Sequence, residues 1–225
     1  MRILFFITKP YSISIIQPLE FYCNNNNIEN VWFKAGSAKP LDFKGKVIET
    51  TADVIEFDPD AVIVPGNVVP DFWPGIKVQI FHGLCEEKKG HYDITGFFDL
   101  YCTPGPQMTE KFMELGEQYN TFLVRETGWP KLDLLFPVPN ADEKKITLGL
   151  NPDKKLILYA PTFSPKYTSA DDLFGSIQES QFLEHEWVVK FHDLEKNATI
   201  ERYRTLNSDL FKIIENKDIL PWMTV

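Results

Sequence analysis

The sequence predicts an α/β fold built on parallel β-sheets, and three observations support this prediction. Short runs of β-branched and aromatic residues recur along the 225-residue chain, and segments of helix length separate them. The runs are continuously apolar rather than alternating, which is typical of strands that helices cover on both faces. Hydrophobic residues make up 44% of the chain, which is enough for a sizeable core. Strands that alternate with helices favour a doubly wound sheet.

Each apolar run predicts one strand. In chain order the runs are RILFFIT, ENVWFKA, DAVIVPG, KVQIFHG, FDLYCT, TFLVRETG, KLILYAPT, EWVVKFH and LFKIIEN. Helices are predicted over residues 12–23, 106–119, 171–182 and 197–208. Four consecutive asparagines, residues 24–27, predict a solvated turn after the first helix.

The composition changes over residues 137–155, PVPNADEKKITLGLNPDKK, which are rich in Pro, Asn, Asp and Lys. The run LILYAPT that follows is typical of the first strand of a new α/β unit. We therefore predict two Rossmann-like units, an N-terminal one over residues 1–138 and a partial C-terminal one over residues 139–225. Two such units joined by a short linker suggest a glycosyltransferase-B arrangement with a cleft. Few strands follow in the second unit, so we expect it to be truncated at its C-terminus.

Charge and cysteine content limit the classes of function. Lys and Arg total 23 against 32 Asp and Glu, a net charge of −9, which disfavours non-specific binding of nucleic acid. No apolar run has the length of about 18 residues that a transmembrane helix needs. The N-terminal apolar stretch is short and lacks a cleavage site, so it predicts a buried strand rather than a signal peptide. Three cysteines without a C-x-x-C pair indicate reduced thiols and a cytoplasmic protein.

The segment IFHGLCEEKKG places His82 and Gly83 at the predicted tip of a strand. Parallel strands end at the crevice where α/β folds bind ligands. A histidine there is suited to be the general base for a hydroxyl nucleophile, and the adjacent glycine lets a ligand approach closely. A structural histidine that caps the strand end is the commoner alternative. Lys88 and Lys89 are ordinarily solvated charges, but they would also attract a phosphate.

Three further segments follow predicted strands. GWPKLD contains Pro130 and Asp133, and by itself it is a loop that starts a helix. YAPTF contains Thr162, and its small and hydroxyl residues would expose backbone N–H groups toward an anion, or form a plain strand-to-loop transition. VVKFHD ends in His192, a second histidine after a strand. Two such histidines would converge on one cleft.

Other chemistries are less well supported by the spacing. A zinc site would have to use His82, Cys85 and His91, whose spacing is a poor match to known sites. Cys85 as a nucleophile with His82 as its base is conceivable. The P-loop, G-x-G-x-x-G and G-x-S-x-G motifs are missing from the sequence. His91 and His185 are predicted at surface positions, in a loop and at a helix end.

Taken together, the four segments resemble the motifs of one family. IFHGLCEEKKG is similar to the His-Gly signature with paired lysines of the CDP-glycerol glycerophosphotransferases, the teichoic-acid-type polymerases and primases. GWPKLD resembles their Gly-aromatic-Pro-basic-x-Asp segment, LYAPTF their Tyr-Ala-Pro-Thr strand end, and KFHD their second histidine motif. The order and spacing agree over about two-thirds of the chain, residues 77–225.

The resemblance implies metal-independent transfer of glycerol phosphate or ribitol phosphate from a CDP-linked donor to a hydroxyl of a polymer, with release of CMP. It makes His82 the base, with Gly83 beside it, and it assigns Thr162 and His192 to the phosphates of the donor. Lys88 and Lys89 would lie near an anionic acceptor. Pro130 and Asp133 would shape the cleft. No cofactor is implied. The acceptor would be a polyol phosphate or glycan that can be lipid-linked, reached from the cytoplasm or from the inner face of the plasma membrane.

The sequence departs from the family pattern at three places. Ser164 follows Phe163 where members commonly carry Arg, and Lys166 is a candidate to replace that cation, although it cannot act as a bidentate clamp. Asp193 follows the second histidine in place of the usual Pro. The family's downstream Asp-x-Ser-Ser segment would lie beyond Val225.

The sequence also fits two alternative functions. A nucleotide-sugar glycosyltransferase or a UDP-sugar 2-epimerase would share the two-unit architecture and a Gly-x-Pro segment, but those families do not generally carry His-Gly with paired lysines. A catalytically incomplete binding module would fit a second unit that ends at Val225.

Overall fold

A computed structural model describes residues 1–41, 44–84, 90–136, 140–180, 185–215, 219 and 222–223. The chain divides into two units, Met1–Leu134 and Leu135–Val225. The boundary predicted between residues 138 and 139 lies outside the described residues and stays a prediction.

The N-terminal unit alternates strands and helices, as its sequence predicts. Its elements are β1 (Arg2–Ile7), α1 (Ser12–Asn25), β2 (Glu29–Lys34), β3 (Val47–Ile48), α2 (Thr51–Phe57), β4 (Ala61–Val64), β5 (Ile76–Gln79), β6 (Leu100–Thr103), α3 (Pro106–Tyr119) and β7 (Leu123–Glu126). Short 3-10 helices occupy Gly36–Ala38 and Pro130–Leu135.

These seven strands form one parallel sheet in the order β3-β2-β1-β4-β5-β6-β7. Strand β1 explains why the apolar runs are continuous. Leu4 and Phe6 pack into one hydrophobic cluster, while Ile3, Phe5 and Ile7 pack into another. Successive side chains of a strand point to opposite faces, so a strand covered on both faces needs apolar residues at every position.

The order of the strands reverses at β1, because β2 and β3 lie on one side of it and β4 to β7 lie on the other. Such a switch point is where α/β sheets open a crevice beyond the C-terminal ends of their strands. The loops after β1, β4 and β5 therefore surround the position where this unit would bind a ligand.

The C-terminal unit contains α4 (Ala141–Thr147), β8 (Lys155–Tyr159), α5 (Ala170–Ser180), β9 (His185–Val189), α6 (Asn197–Arg204) and β10 (Phe211–Ile213). Its three described strands are parallel in the order β10-β9-β8. A smaller core surrounds the buried Tyr203, whose hydroxyl donates to the carbonyl of Ala170 across 2.6 Å.

Several predicted bounds differ from the structure. Helix α3 has the predicted bounds, whereas α6 ends four residues earlier than predicted, and the predicted end of α5 lies outside the described residues. Helix α2 and the short β3 were not predicted. Thr50 and Asp53 form a capping box at the start of α2, which is a local signal for this helix.

Candidate functional site

The histidine of the first motif does not lie on the strand itself. Strand β5 ends at Gln79, three residues before His82, so the prediction of a histidine at the strand tip is corrected by that distance. Phe81 intervenes with φ at +58°, in the left-handed region that bulky residues rarely adopt, and its side chain is fully buried. The backbone therefore turns sharply at Phe81, and the next residue, His82, is only half-buried. Backbone outliers of this kind concentrate at functional sites.

The Gly-Trp-Pro segment stabilises this turn. The indole Nε1 of Trp129 donates to the carbonyl oxygen of Phe81 across 3.2 Å, although 48 positions separate the two residues. Pro130, the next residue, starts a 3-10 helix in which Asp133 is exposed. Two motifs that the sequence shows as separate are thus joined within the N-terminal unit, through a residue that was not among the predicted site residues.

Two aromatic rings flank His82. The ring of Tyr11, in the loop after β1, has its centroid 5.9 Å from that of His82. Burial raises the pKa of the Tyr11 phenol, so the phenol keeps its proton at neutral pH and can donate a hydrogen bond. The ring of His91 lies 5.0 Å from His82 at an interplanar angle of 89°.

Tyr11 and His91 were not predicted as site residues. His91 is only 3% exposed, so its predicted surface position is wrong: its ring packs against the rings of Phe81 and His82. His185 is also corrected, because it begins strand β9 rather than ending a helix. For Tyr11, its place after the strand at the switch point is a usable sequence signal.

Gly83 leaves open space next to His82. Apart from Gly83 itself and its chain neighbours His82 and Leu84, no atom in the described part of the chain lies within 4 Å of the position that a Cβ would take at Gly83. This vacancy is consistent with close approach of a ligand, whereas the unusual backbone angle belongs to Phe81 and not to Gly83. Lys88, Lys89 and Cys85 lie outside the described residues.

In the C-terminal unit, Thr162 and His192 each lie three residues beyond a strand, after β8 and after the adjacent parallel β9, so their predicted places at the strand ends are corrected by the same distance as that of His82. Both residues are exposed. Phe163 has its ring centroid 4.4 Å from that of His192, which brings the Pro-Thr-Phe segment next to the second histidine motif. The Nδ1 atom of His192 accepts the backbone N–H of Leu194 across 3.1 Å. Because Nδ1 is the acceptor, the ring proton is on Nε2, which is then a donor available to a ligand.

Two lysines of this unit make contacts with neighbouring residues. Lys190 Nζ donates to Asp193 Oδ1 across 3.1 Å, so the aspartate that replaces the family's proline holds a lysine next to the motif. Lys166 Nζ lies 5.3 Å from the centroid of the Tyr167 ring. Lys166 is therefore placed by a cation–π contact within its own loop.

Thiol and metal chemistry find no support in the described residues. Burial raises the pKa values of the Cys23 and Cys102 thiols, which disfavours the nucleophilic thiolate at neutral pH. Over the described ranges, no group of three or more His, Cys, Asp or Glu side chains is arranged to hold a metal ion. Nor does any helix there combine the length and hydrophobicity that crossing a bilayer needs.

Comparison with known proteins identifies a family. The family model for CDP-glycerol:poly(glycerophosphate) glycerophosphotransferase matches residues 84–211, more than half of the chain. The match includes the Gly-Trp-Pro segment, Thr162 and His192, and it begins just after His82 and Gly83. The predicted family resemblance is thereby confirmed. No curated protein sequence matches the chain.

Solved structures match nearly the whole chain at low sequence identity. The S. aureus MnaA–UDP co-structure is 15% identical, with a TM-score of 0.65, over 99% of this chain and 70% of that one. UDP-GlcNAc 2-epimerase from Neisseria meningitidis bound to UDP-GlcNAc is 15% identical, with a TM-score of 0.61, over 99% and 74%. A glycosyltransferase from Rickettsia africae ESF-5 is 13% identical, with a TM-score of 0.54, over 98% and 70%. These likenesses confirm the predicted α/β fold class with two Rossmann-like units.

Proposed function

Because the chain belongs to the CDP-glycerol:poly(glycerophosphate) glycerophosphotransferase family, we propose that it transfers a polyol phosphate from a CDP-linked donor to a hydroxyl group of a polymer acceptor. The polyol is glycerol or ribitol, and the product is a cell-wall or capsule polymer. The observation that carries this proposal is the family match over residues 84–211, which covers both the Gly-Trp-Pro segment and the second histidine motif.

The reaction exchanges one phosphorus–oxygen bond for another. The acceptor hydroxyl oxygen bonds to the phosphorus that carries the polyol. The bond from that phosphorus to the oxygen bridging it to the cytidylyl phosphate breaks, and CMP leaves with the bonding electrons. The hydroxyl proton passes to His82, and no group is oxidised or reduced. General base catalysis of this kind contributes roughly 10²- to 10⁴-fold.

Three features of the N-terminal unit support His82 as the base. The residue is partly exposed, although its Nδ1 atom is enclosed, so a hydroxyl group would have to approach through Nε2. The turn that carries it is held by Trp129 through Phe81. The open space at Gly83 would admit the acceptor next to the ring. In this proposal Pro130 and Asp133 shape the same site, and Lys88 and Lys89 attract an anionic acceptor.

On the donor side, we assign His192 and Thr162 to the phosphates. The Nε2–H of His192 would donate to a phosphate oxygen while Nδ1 stays bonded to Leu194. The exposed Thr162 hydroxyl is a second donor. Because the three cysteines include no C-x-x-C pair and indicate reduced thiols, we place the reaction in the cytoplasm, with an acceptor that can be lipid-linked at the inner face of the plasma membrane.

The experiment is to incubate the 225-residue chain with CDP-glycerol and a lipid-linked polyol-phosphate acceptor and to measure CMP release. We expect one CMP for each unit added to the acceptor. His82→Ala should lower the rate by at least about 10²-fold. His185→Gln is the matched control, because His185 begins β9 at the end opposite the second histidine motif, and its turnover should equal that of the wild type. Unchanged turnover in His82→Ala would remove His82 from the mechanism.

The same preparation separates the alternative functions. Thermal stabilisation by UDP-GlcNAc but not by CDP-glycerol would favour a UDP-sugar enzyme, whereas the reverse supports the proposal. Binding of CDP-glycerol with no CMP release under any acceptor would favour a catalytically incomplete module.

A further inference from the structure

Polar contacts hold Gly90, the residue that precedes His91. Gly90 has φ at +88°, and its carbonyl accepts from Asn67 Nδ2 across 3.0 Å. Asn67 is itself held, because its Oδ1 accepts from Gln79 Nε2 across 2.9 Å. Gln79 is buried at the end of β5. The residue after Gly90, which is His91, is therefore fixed relative to the strand that leads to His82.

The ring of His91 fills the space beneath His82. It is 3% exposed, and it contacts the Phe81 ring at a centroid distance of 6.3 Å and the His82 ring at 5.0 Å. The angle of 89° with His82 is an edge-to-face arrangement, one of the favoured geometries for ring pairs. Tyr11 contacts His82 as well, and its ring is half exposed.

We propose that His91 is a positioning residue, whose buried ring sets the orientation of the His82 imidazole toward Tyr11 and the open space at Gly83. The catalytic consequence rests on the proposed function, but the geometric claim does not. A half-buried ring on a sharp turn would otherwise sample several rotamers. Restricting it matters because a displacement of about 1 Å in a catalytic group can cost about 10²-fold in rate.

Three variants isolate the role of the ring. His91→Ala removes it, and His91→Phe keeps an aromatic ring of similar size without the nitrogens. Phe98→Leu is the control for stability, because Phe98 is 4% exposed in the same hydrophobic cluster as Phe81 and its ring packs against Tyr101. All three should be folded by circular dichroism and compared at matched temperatures below their melting points.

The first readout does not depend on activity. In the full chain with labelled histidine and tyrosine, nuclear Overhauser effects between the His82 and Tyr11 rings report their contact, and His82→Gln identifies the signals. We expect the effect in the wild type, in His91→Phe and in Phe98→Leu, and its loss in His91→Ala. An undiminished effect in His91→Ala would overturn the proposal.

The second readout is CMP release. We expect His91→Ala to lower kcat by about 10- to 100-fold with KM changed less than about twofold, because the lost interaction acts on the chemical step. His91→Phe should recover most of kcat. If His91→Phe is as slow as a folded His91→Ala, ring packing does not position His82 and the proposal is wrong. If neither the wild type nor any variant releases CMP, the proposed function is wrong. The Overhauser effect between His82 and Tyr11 then still tests whether His91 positions His82.

Discussion

Replacing Trp129 with Phe tests whether the Gly-Trp-Pro segment holds the turn that precedes His82. The indole Nε1 donates to the Phe81 carbonyl across 3.2 Å, and Phe81 has φ at +58°. Loss of one partner from a part-buried hydrogen bond costs about 1–2 kcal/mol. For a chain of this size each 1 kcal/mol lowers Tm by about 2–4 °C, so we expect a fall of about 2–8 °C from this bond. Turnover should drop about 10-fold, because His82 directly follows the released turn.

Trp187→Phe is the matched control for this experiment. It removes the same indole volume, but within the described structure the Trp187 Nε1 has no hydrogen-bond acceptor. Calorimetry of both variants therefore isolates the hydrogen bond from the lost ring. We expect Trp129→Phe to be the more destabilised by about 1–2 kcal/mol. Equal destabilisation, together with unchanged CMP release by Trp129→Phe, would refute the argument that this bond holds the turn.

Three further predictions address other parts of the chain. His192→Asn keeps an acceptor for the backbone N–H of Leu194 but removes Nε2. CDP-glycerol should therefore bind about 10- to 100-fold more weakly in titration calorimetry, at unchanged Tm. Equal affinity would contradict the assignment of His192 to the donor phosphates. Gly75→Ala should destabilise the chain far more than Gly96→Ala in chemical unfolding: both have positive φ, but a Cβ at Gly75 would lie 2.2 Å from a backbone oxygen, whereas Gly96 has open space. Hydrogen bonds from Thr50 lower the pKa of the Asp53 carboxyl group, with the larger effect from the Thr50 side chain and a smaller one from its backbone N–H. The stabilisation of the fold by ionised Asp53 is therefore present above the unfolded-state pKa of this carboxyl group and is lost as pH falls through its folded-state pKa. On acidification, Asp53→Asn should therefore lose less stability than the wild type.

Local sequence information was sufficient for most of the strands and for the family, although helix α2 and strand β3 were missed. The continuous apolar run of β1 indicates that both faces of the strand are covered, and residues 2–7 alone are enough to show this pattern. Helix α3 begins at Pro106, and proline is favoured at a first helical position, so its start is a local signal. The motifs around Trp129, Thr162 and His192 identified the family because they depend only on residue type and order.

The tertiary structure decided which residues meet His82. Tyr11 reaches it because the strand order places the loop after β1 near the loop after β5, and strand order depends on crossovers between distant segments. His91 is buried because its ring packs against Phe81, although a histidine among charged and small residues is typical of a surface. Periodicity reports whether a residue faces a core, which is a local property. Contact across tens of residues depends on how the whole chain packs, and the sequence near each residue carries little record of it.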